Sequence, residues 1–464
     1  MATHNLTTSA SVNGTSAEMN LDVWRLILDQ IDDRTDLCNV CLTSRAWFAM
    51  AMPHLYRVVP LRMRSYDLDY ESESDLMVFA HSLSSRLLDT KNEAWRNAVH
   101  ELDFGRFRGE HLIEMEKRLV ALVDSLPNLQ RVKIDSALTQ EVLRHLTEHS
   151  KGILLYLFAE DGQRHIEPGC NFQNIVTLAA QVNPFVAKNE PNRNILGAQK
   201  LLFACPSLTT FHLNIVGGYG GCVVRLPRFE SVYSFRFSGN ETFPPLTRLG
   251  LSGYWLSADE LEHWQQKFQW SKLKSLALGP RSTSDFLKLA EGYATSLQYL
   301  EVLVYTDADR CIHCYPLRKF LKSFTSLETL IVKGYQMPVG LVGNHPGLKR
   351  LCLHTFERVS GESRLTLSVE DLQELDKSCA HLETLELDLC RDGEWPEQIL
   401  KTLATGFINV RRLTLHLEIG LRDADGREVG TPGPDEYVRI EPILNEDSAR
   451  EWDGGSSSCD RRRT

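Results

Sequence analysis

The sequence predicts an α/β fold in which a short three-helix unit precedes a long, irregular array of strand–helix repeats, with a parallel sheet inside and helices outside. Apolar residues recur at helical spacing between positions 19 and 60. A short pattern, apolar-x-x-apolar-x-apolar, then returns through most of the chain. At 464 residues the chain is also too long for one ordinary core, which stops growing at roughly 250–300 residues.

Three short helices are expected in the first sixty residues. The first carries an apolar stripe at Trp24, Ile27, Leu28 and Ile31. The second repeats this spacing at Leu37, Val40 and Cys41. Thr43 or Ser44 can cap the third, and Pro53 ends it. A unit this small buries little surface, and we expect it to pack against the rest of the chain or against a second protein.

Residues 19–59, "MNLDVWRLILDQIDDRTDLCNVCLTSRAWFAMAMPHLYRVV", resemble the F-box. The matching positions are Leu21, Val23, Ile27, Leu28, Ile31, Asp36, Leu37, Val40, Cys41, Arg45 and Trp47. The ending "PHLYRVV" is similar to fungal members, whereas the family's usual Leu-Pro start reads Met19-Asn20 here. The resemblance implies docking on a Skp-type adaptor through Leu21, Val23, Ile27, Leu28, Leu37, Val40, Cys41 and Trp47.

The C-x-x-C of this region, Cys38 and Cys41, has two interpretations. A redox pair would need a strand-to-helix start in a thioredoxin-like unit, and nothing upstream supplies one. We therefore expect packing: Cys41 joins the apolar stripe and Cys38 lies at its margin.

The repeat pattern starts at Val99, Leu129, Leu208, Val232, Leu246, Leu273, Leu297, Leu327, Leu348, Leu382 and Val410. Its last three apolar positions alternate as a short strand does. Helical stripes such as "GEHLIEMEKRLVALVDSL" and "SVEDLQELDKSC" follow the strands. Between positions 138 and 200, "GILLYLF" and "NIVTLAAQV" could be two further strands.

A strand-then-helix unit of this length resembles the leucine-rich repeat, which implies a parallel sheet on the concave side. The family's Asn or Cys at the ninth position is matched by Cys390, but Ala137, Tyr305, Tyr335 and Phe356 stand elsewhere. The array is therefore expected to be irregular. The expected domains are 1–18 disordered, 19–60 F-box-like, 61–95 linker and first helix, 96–420 repeats, and 421–464 flexible tail.

The composition argues against two classes of partner, nucleic acids and membranes. The net charge is −10, and the terminal "RRR" is the one basic cluster, which argues against general nucleic-acid binding. No window holds the roughly 18 apolar residues that a membrane span needs, and the start lacks a basic, apolar signal segment. A cytoplasmic or nuclear protein with reduced cysteines is expected.

Three segments resemble parts of catalytic, phosphate-binding or metal sites, but each lacks a residue that such a site requires. "GLSG" around Ser252 is one residue short of a nucleophile elbow. "GGYGGC" lacks the Lys-Ser/Thr of a phosphate loop. "CIHC", from Cys311 to Cys314 with His313, lacks the second pair that structural zinc requires. No catalytic residue, metal or cofactor is expected.

Residues beside the inward-facing apolar positions are expected to line the concave face. They are Arg131, Lys133, His212, Arg236, Arg248, Glu301, Arg350, His354, Glu386, Asp388, Arg412 and His416. As a group they suggest a surface that binds a protein substrate. For each residue taken alone, an ordinary solvated sheet face is the alternative.

An F-box-like unit joined to leucine-rich repeats resembles the substrate-recognition subunit of an SCF-type (cullin-RING) ubiquitin ligase. The resemblance implies an adaptor that bridges to cullin and RING subunits, repeats that hold a protein substrate, and no chemistry in this chain. The alternative is a leucine-rich-repeat interaction scaffold that acts outside a ubiquitin ligase.

Overall fold

The structure is a computed structural model that describes residues 21–31, 33–61, 73–107, 109–136, 138–149, 152–160, 170–182, 193–216, 234–279, 282–304, 314–355, 366–389 and 396–417. The chain divides into two compact units. The first comprises Met1–Ser136 and Glu148–Leu155, and the second comprises Ala137–Thr147 and Tyr156–Thr464.

The first unit begins with the three expected helices: α1 (Leu21–Leu28), α2 (Arg34–Thr43) and α3 (Arg45–Leu55). The expected end of the third helix at Pro53 is wrong, because α3 continues through Pro53 to Leu55. Side chains cap two of them. Asp33 accepts a hydrogen bond from the Thr35 amide at 2.6 Å, and Ser44 accepts one from the Trp47 amide at 3.2 Å. The buried centre of these helices is small, consisting of Leu28, Leu37 and Ala51.

Short parallel strands follow in the same unit. The elements are β1 (Val58–Pro60), α4 (Glu73–Leu88), α5 (Glu93–Ala98), β2 (Glu101–Phe104), α6 (Gly109–Ser125) and β3 (Arg131–Ile134). The strands expected after Val99 and Leu129 are confirmed, and β2 pairs in parallel with both β1 and β3. The pattern did not predict β1, because it ends in proline and closes the segment interpreted as helical.

The elements beyond β3 repeat strand and helix. They are α7 (Gln140–Glu148), β4 (Leu154–Glu160), β5 (Ile175–Val182), α8 (Arg193–Ala204), β6 (Thr210–Ile215), β7 (Arg248–Ser252), α9 (Ala258–Lys267), β8 (Ser275–Leu278), α10 (Thr283–Ala290), β9 (Tyr299–Leu303), α11 (Cys314–Lys322), β10 (Thr329–Lys333), α12 (Val339–Val342), β11 (Arg350–His354), α13 (Val369–Ser378), β12 (Thr384–Leu389), α14 (Glu397–Thr405) and β13 (Arg412–Leu417). The two further strands suggested between 138 and 200 are therefore present as β4 and β5.

Within the second unit, strands β5 to β13 lie side by side in the order of the sequence. Alternate side chains of each strand point into the core. Leu330 of β10, for example, pairs in register with Leu300 of β9 and Leu351 of β11, and all three are fully buried. The predicted fold class, an irregular α/β array resembling a leucine-rich-repeat solenoid, is confirmed.

One expected strand is wrong. Positions 232 and 233 lie outside the described residues, and residues 234–237 are not a strand. Side chains take the backbone donors that a sheet would use: the Phe235 amide donates to Glu260 Oε1 at 2.8 Å, and the Arg236 amide donates to Gln199 Oε1 at 2.9 Å. Arg236 therefore lies exposed on a loop and not on the strand face.

Several expectations fall on residues outside those described. They concern 1–18, Asn20, Ala137, "GGYGGC", Tyr305, Cys311, His313, Phe356, Cys390, 421–464 and the side chain of Leu21. Within the described ranges, each helix is too short or too polar to cross a membrane.

Candidate protein-interaction surfaces

The three N-terminal helices place the expected adaptor-binding residues at different depths. Leu28 and Leu37 are 1% and 6% exposed, so they form the core of the unit. Val40, Cys41 and Trp47 pack against that core and are half-buried. The Trp47 ring meets the Trp24 ring edge to face, with centroids 4.7 Å apart, which joins α3 to α1. Val23 and Ile27 remain exposed.

Three further apolar residues on these helices are exposed and were missed by the sequence analysis. Leu42 is 84% exposed, Leu26 is 64% exposed and Phe48 is 44% exposed. Each falls outside the apolar stripe of its helix, where the pattern led us to expect polar residues. Together with Val23 and Ile27, five large apolar side chains of these three helices are therefore exposed.

The predicted packing role of the C-x-x-C is confirmed. Cys41 packs against the Leu28–Leu37–Ala51 core, and partial burial raises the pKa of its thiol. Cys38 is exposed at the margin of the stripe, and both cysteines are free.

On the strand face of the first unit, two expected substrate-binding residues serve a buried carboxylate. Glu101 of β2 is only 6% exposed. Arg131 Nε lies 3.5 Å from Glu101 Oε2, and the ammonium group of Lys133 contacts Oε1. Both cations of β3 are therefore engaged within the chain, because a buried charge needs a partner.

The strand face of the second unit carries side chains in rows that follow the sheet register. In the first row, Tyr299, Thr329, Arg350, Thr384 and Arg412 pair from β9 to β13. We call these five residues the arginine row. Arg350 and Arg412 are exposed, and within the described part of the chain neither makes an ion pair.

The second row holds two carboxylates whose partners lie within the face. Glu301 accepts a hydrogen bond from the Tyr299 hydroxyl at 2.7 Å and lies 3.7 Å from Lys333 Nζ. Glu386 lies 2.8 Å from His416 Nε2. Partial burial opposes ionisation of Glu386, but hydrogen bonds from His416 and Cys352 outweigh it and lower its pKa. Burial raises the pKa of the Cys352 thiol to about 12, which makes it unreactive.

The third row ends in a pair of histidines. His354 Nδ1 lies 2.7 Å from Asp388 Oδ1, and the His354 and His416 ring centroids are 4.2 Å apart. Asp388 is buried and also accepts hydrogen bonds from the amide and hydroxyl of Thr355. These expected face residues form one connected network, in which Asp388 accepts the hydrogen bonds that tie His354 to Thr355.

Arg248 extends the face towards earlier strands. It is exposed on β7 and pairs in register with Thr210 of β6 and Ser275 of β8. The next face position of β7 is Gly250, beside His212 of β6. A Cβ at Gly250 would lie 2.1 Å from His212 Nδ1, so only glycine leaves the ring its place.

Ser252, half-buried at the end of β7, lies against Gly279, where an added Cβ would fall 2.4 Å from Ser252 Oγ. Across the residues that the structure describes, no group of three His, Cys, Asp or Glu side chains is placed to hold a metal ion.

Comparison with known proteins adds a distant likeness. No family model matches the sequence, and no curated protein matches it. Among solved structures, the leucine-rich repeat-containing protein LegL7 from Legionella pneumophila matches with 15% identity and a TM-score of 0.33, over 86% of this chain and 99% of that one.

Proposed function

We propose that this protein is the substrate-recognition subunit of an SCF-type ubiquitin ligase complex. Helices α1–α3 dock on a Skp-type adaptor, which links the chain to cullin and RING subunits. The strand face holds a protein substrate. The chain performs no chemistry itself and acts by placement, because holding a target near the ubiquitin donor raises the local concentration of the reacting lysine.

The observation that carries the proposal is the apolar surface of the N-terminal helices. Leu26, Leu42 and Phe48 are exposed together with Val23 and Ile27, although the unit has a core of only a few side chains. Covering a side chain as exposed as that of Leu42 is worth about 1.5–3 kcal/mol, and covering the half-exposed ones is worth less. A partner that covers several of them would stabilise both itself and this small unit, which fits the F-box resemblance of residues 19–59.

The second support is the strand face. Its exposed arginines and its ordered network of carboxylates and histidines resemble the polar rim and charged anchors of protein-binding surfaces. The proposed location is the cytoplasm or the nucleus, where ubiquitin ligases of this type act.

Capture of a purified Skp-type adaptor by the full chain tests the proposal. Leu42→Asp and Leu26→Asp remove apolar contact without entering the core, and each is expected to weaken adaptor binding at least tenfold, or about 1.4 kcal/mol. Leu37→Asp is a poorer probe, because Leu37 is buried and a charge there would unfold the unit.

Val78→Asp is the matched control, since Val78 is 69% exposed on α4, outside the three helices. It should leave adaptor binding unchanged. If the wild-type chain retains no adaptor at micromolar concentration, the ligase assignment fails. The chain is then better described as an interaction scaffold that acts outside a ubiquitin ligase.

A further inference from the structure

The cations of the second unit's strand face differ in whether they have partners. Lys333 lies 3.7 Å from Glu301, and Lys349, at the edge of the face, lies 2.8 Å from Glu328. Arg350 and Arg412 are exposed, and no ion pair is found for either within the residues described. Their permanent positive charges, like that of Arg248 farther along the same face, are therefore left for something outside these ranges.

The register sets the distance between these two charges. Thr384 of β12 pairs with Arg350 on one side and with Arg412 on the other. Two strand spacings of about 4.8 Å separate the arginine backbones by about 9.6 Å across the strands. The polar group of Thr384, between the two arginines, is a hydroxyl, and so is that of Thr329, on the other side of Arg350. The arginine row thus offers hydrogen-bond donors and, apart from its guanidinium groups, no charge.

The neighbouring row makes the face selective. Its two carboxylates, Glu301 and Glu386, are engaged by Tyr299, Lys333 and His416. These negative charges repel an anion that moves off the arginine row, because the two rows lie only about 7 Å apart along each strand. The region of the face that attracts anions is therefore a narrow line across the strands.

We propose that the arginine row binds an acidic, extended segment of a partner protein with two Asp or Glu side chains three residues apart. In the polyproline II conformation, residues i and i+3 lie on one side of the chain and about 9.3 Å apart. This matches the spacing of Arg350 and Arg412. Each guanidinium group can take one carboxylate in a bidentate pair. The inference rests on the proposed role of the face as a protein receptor and is independent of adaptor docking.

Two labelled peptides of equal composition test the spacing: Gly-Pro-Asp-Pro-Pro-Asp-Pro-Gly, with acids at i and i+3, and Gly-Pro-Asp-Pro-Asp-Pro-Pro-Gly, with acids at i and i+2. Fluorescence anisotropy is measured with the full chain up to about 200 µM, within the range of weak protein–peptide affinities. The i,i+3 peptide is expected to bind at least fivefold more tightly. Arg350→Gln and Arg412→Gln should each reduce that binding about tenfold and abolish the preference.

Lys349→Gln removes the same charge next to Arg350, but from a lysine already paired with Glu328, and should leave binding within twofold. Equal affinity for the two peptides, or no binding by either, would overturn the inference. So would equal losses from Lys349→Gln and Arg350→Gln, since net charge alone would then explain the binding. Peptide binding that persists when adaptor capture fails would support this inference while removing the ligase assignment.

Discussion

Glu260 offers the sharpest test of how the second unit is held together. The carboxylate is buried on α9, and each of its oxygens accepts two hydrogen bonds. Oε1 accepts from the Phe235 amide at 2.8 Å and from the Tyr254 hydroxyl, while Oε2 accepts from the amide and hydroxyl of Ser257, both at 2.9 Å. One side chain therefore ties the loop around Phe235 to the start of α9.

Burial raises the pKa of Glu260 from 4.5 to about 7, despite the hydrogen bonds that favour the ionised form. A group with a raised pKa in the folded state adds stability that is complete below pH 4.5 and is lost as the pH rises through 7. At about 1.4 kcal/mol per pKa unit, the wild type should lose about 3 kcal/mol of local stability between pH 5 and pH 8.

Glu260→Gln removes this pH dependence, because the amide does not titrate. It also turns one oxygen into an amide nitrogen that faces two donors, which costs about 1–3 kcal/mol per donor left unsatisfied. The variant should therefore be clearly less stable than the wild type at pH 5, and the difference should shrink by about 3 kcal/mol at pH 8.

Hydrogen exchange of the amides in 234–243 and 258–267, corrected for intrinsic exchange rates, measures these opening free energies. Glu262→Gln is the matched control, because Glu262 is exposed on the same helix. It should follow the wild type at both pH values. A gap between Glu260→Gln and wild type that stays constant from pH 5 to pH 8 would refute the reasoning.

Two further predictions concern the same unit. Gly253 and Gly292 both have positive φ, 71° and 75°, so replacing either with alanine should lower stability by about 1–2 kcal/mol. At Gly253 the new Cβ would also lie 2.4 Å from a carbonyl oxygen of β6, whereas at Gly292 no atom lies within 4 Å. Hydrogen exchange should therefore show a larger loss of stability for Gly253→Ala than for Gly292→Ala. Equal losses would contradict the steric argument. His345 is fully buried and burial lowers its pKa, so its contribution to stability is complete above pH 6.5 and falls as the pH drops below it. His345→Gln should flatten that acid-side loss in urea unfolding measured between pH 7.5 and pH 5, and an unchanged slope would count against it.

The repeat pattern predicted most strands because its physics is local. Leu300, Leu330 and Leu351 alternate with outward residues, and a buried sheet needs such alternation wherever it occurs. The failure near Phe235 has a long-range cause: Glu260 and Gln199, distant in sequence, take the backbone donors. No pattern within six residues carries that information.

The candidate surfaces were less accessible to sequence reasoning. An apolar stripe does not say whether Leu37 is core or contact, and only the packing of three helices decided that it is core. The alternation did place Arg350 and Arg412 on the strand face. It could not separate them from Lys333 or Lys133, because the pairing of those lysines with Glu301 and Glu101 depends on the register between strands.

The order of the sheet has a consequence for how the protein is made. Because β5 to β13 follow one another in space as in sequence, the earlier partner of each strand from β6 onwards has left the ribosome before the strand itself does. Leu385, for example, emerges after its partner Leu351 and before its partner Leu413. Each new repeat can thus dock on a finished edge during translation, and the nascent chain need not wait for a distant segment. A ribosome stalled after β12 should therefore already display a folded array.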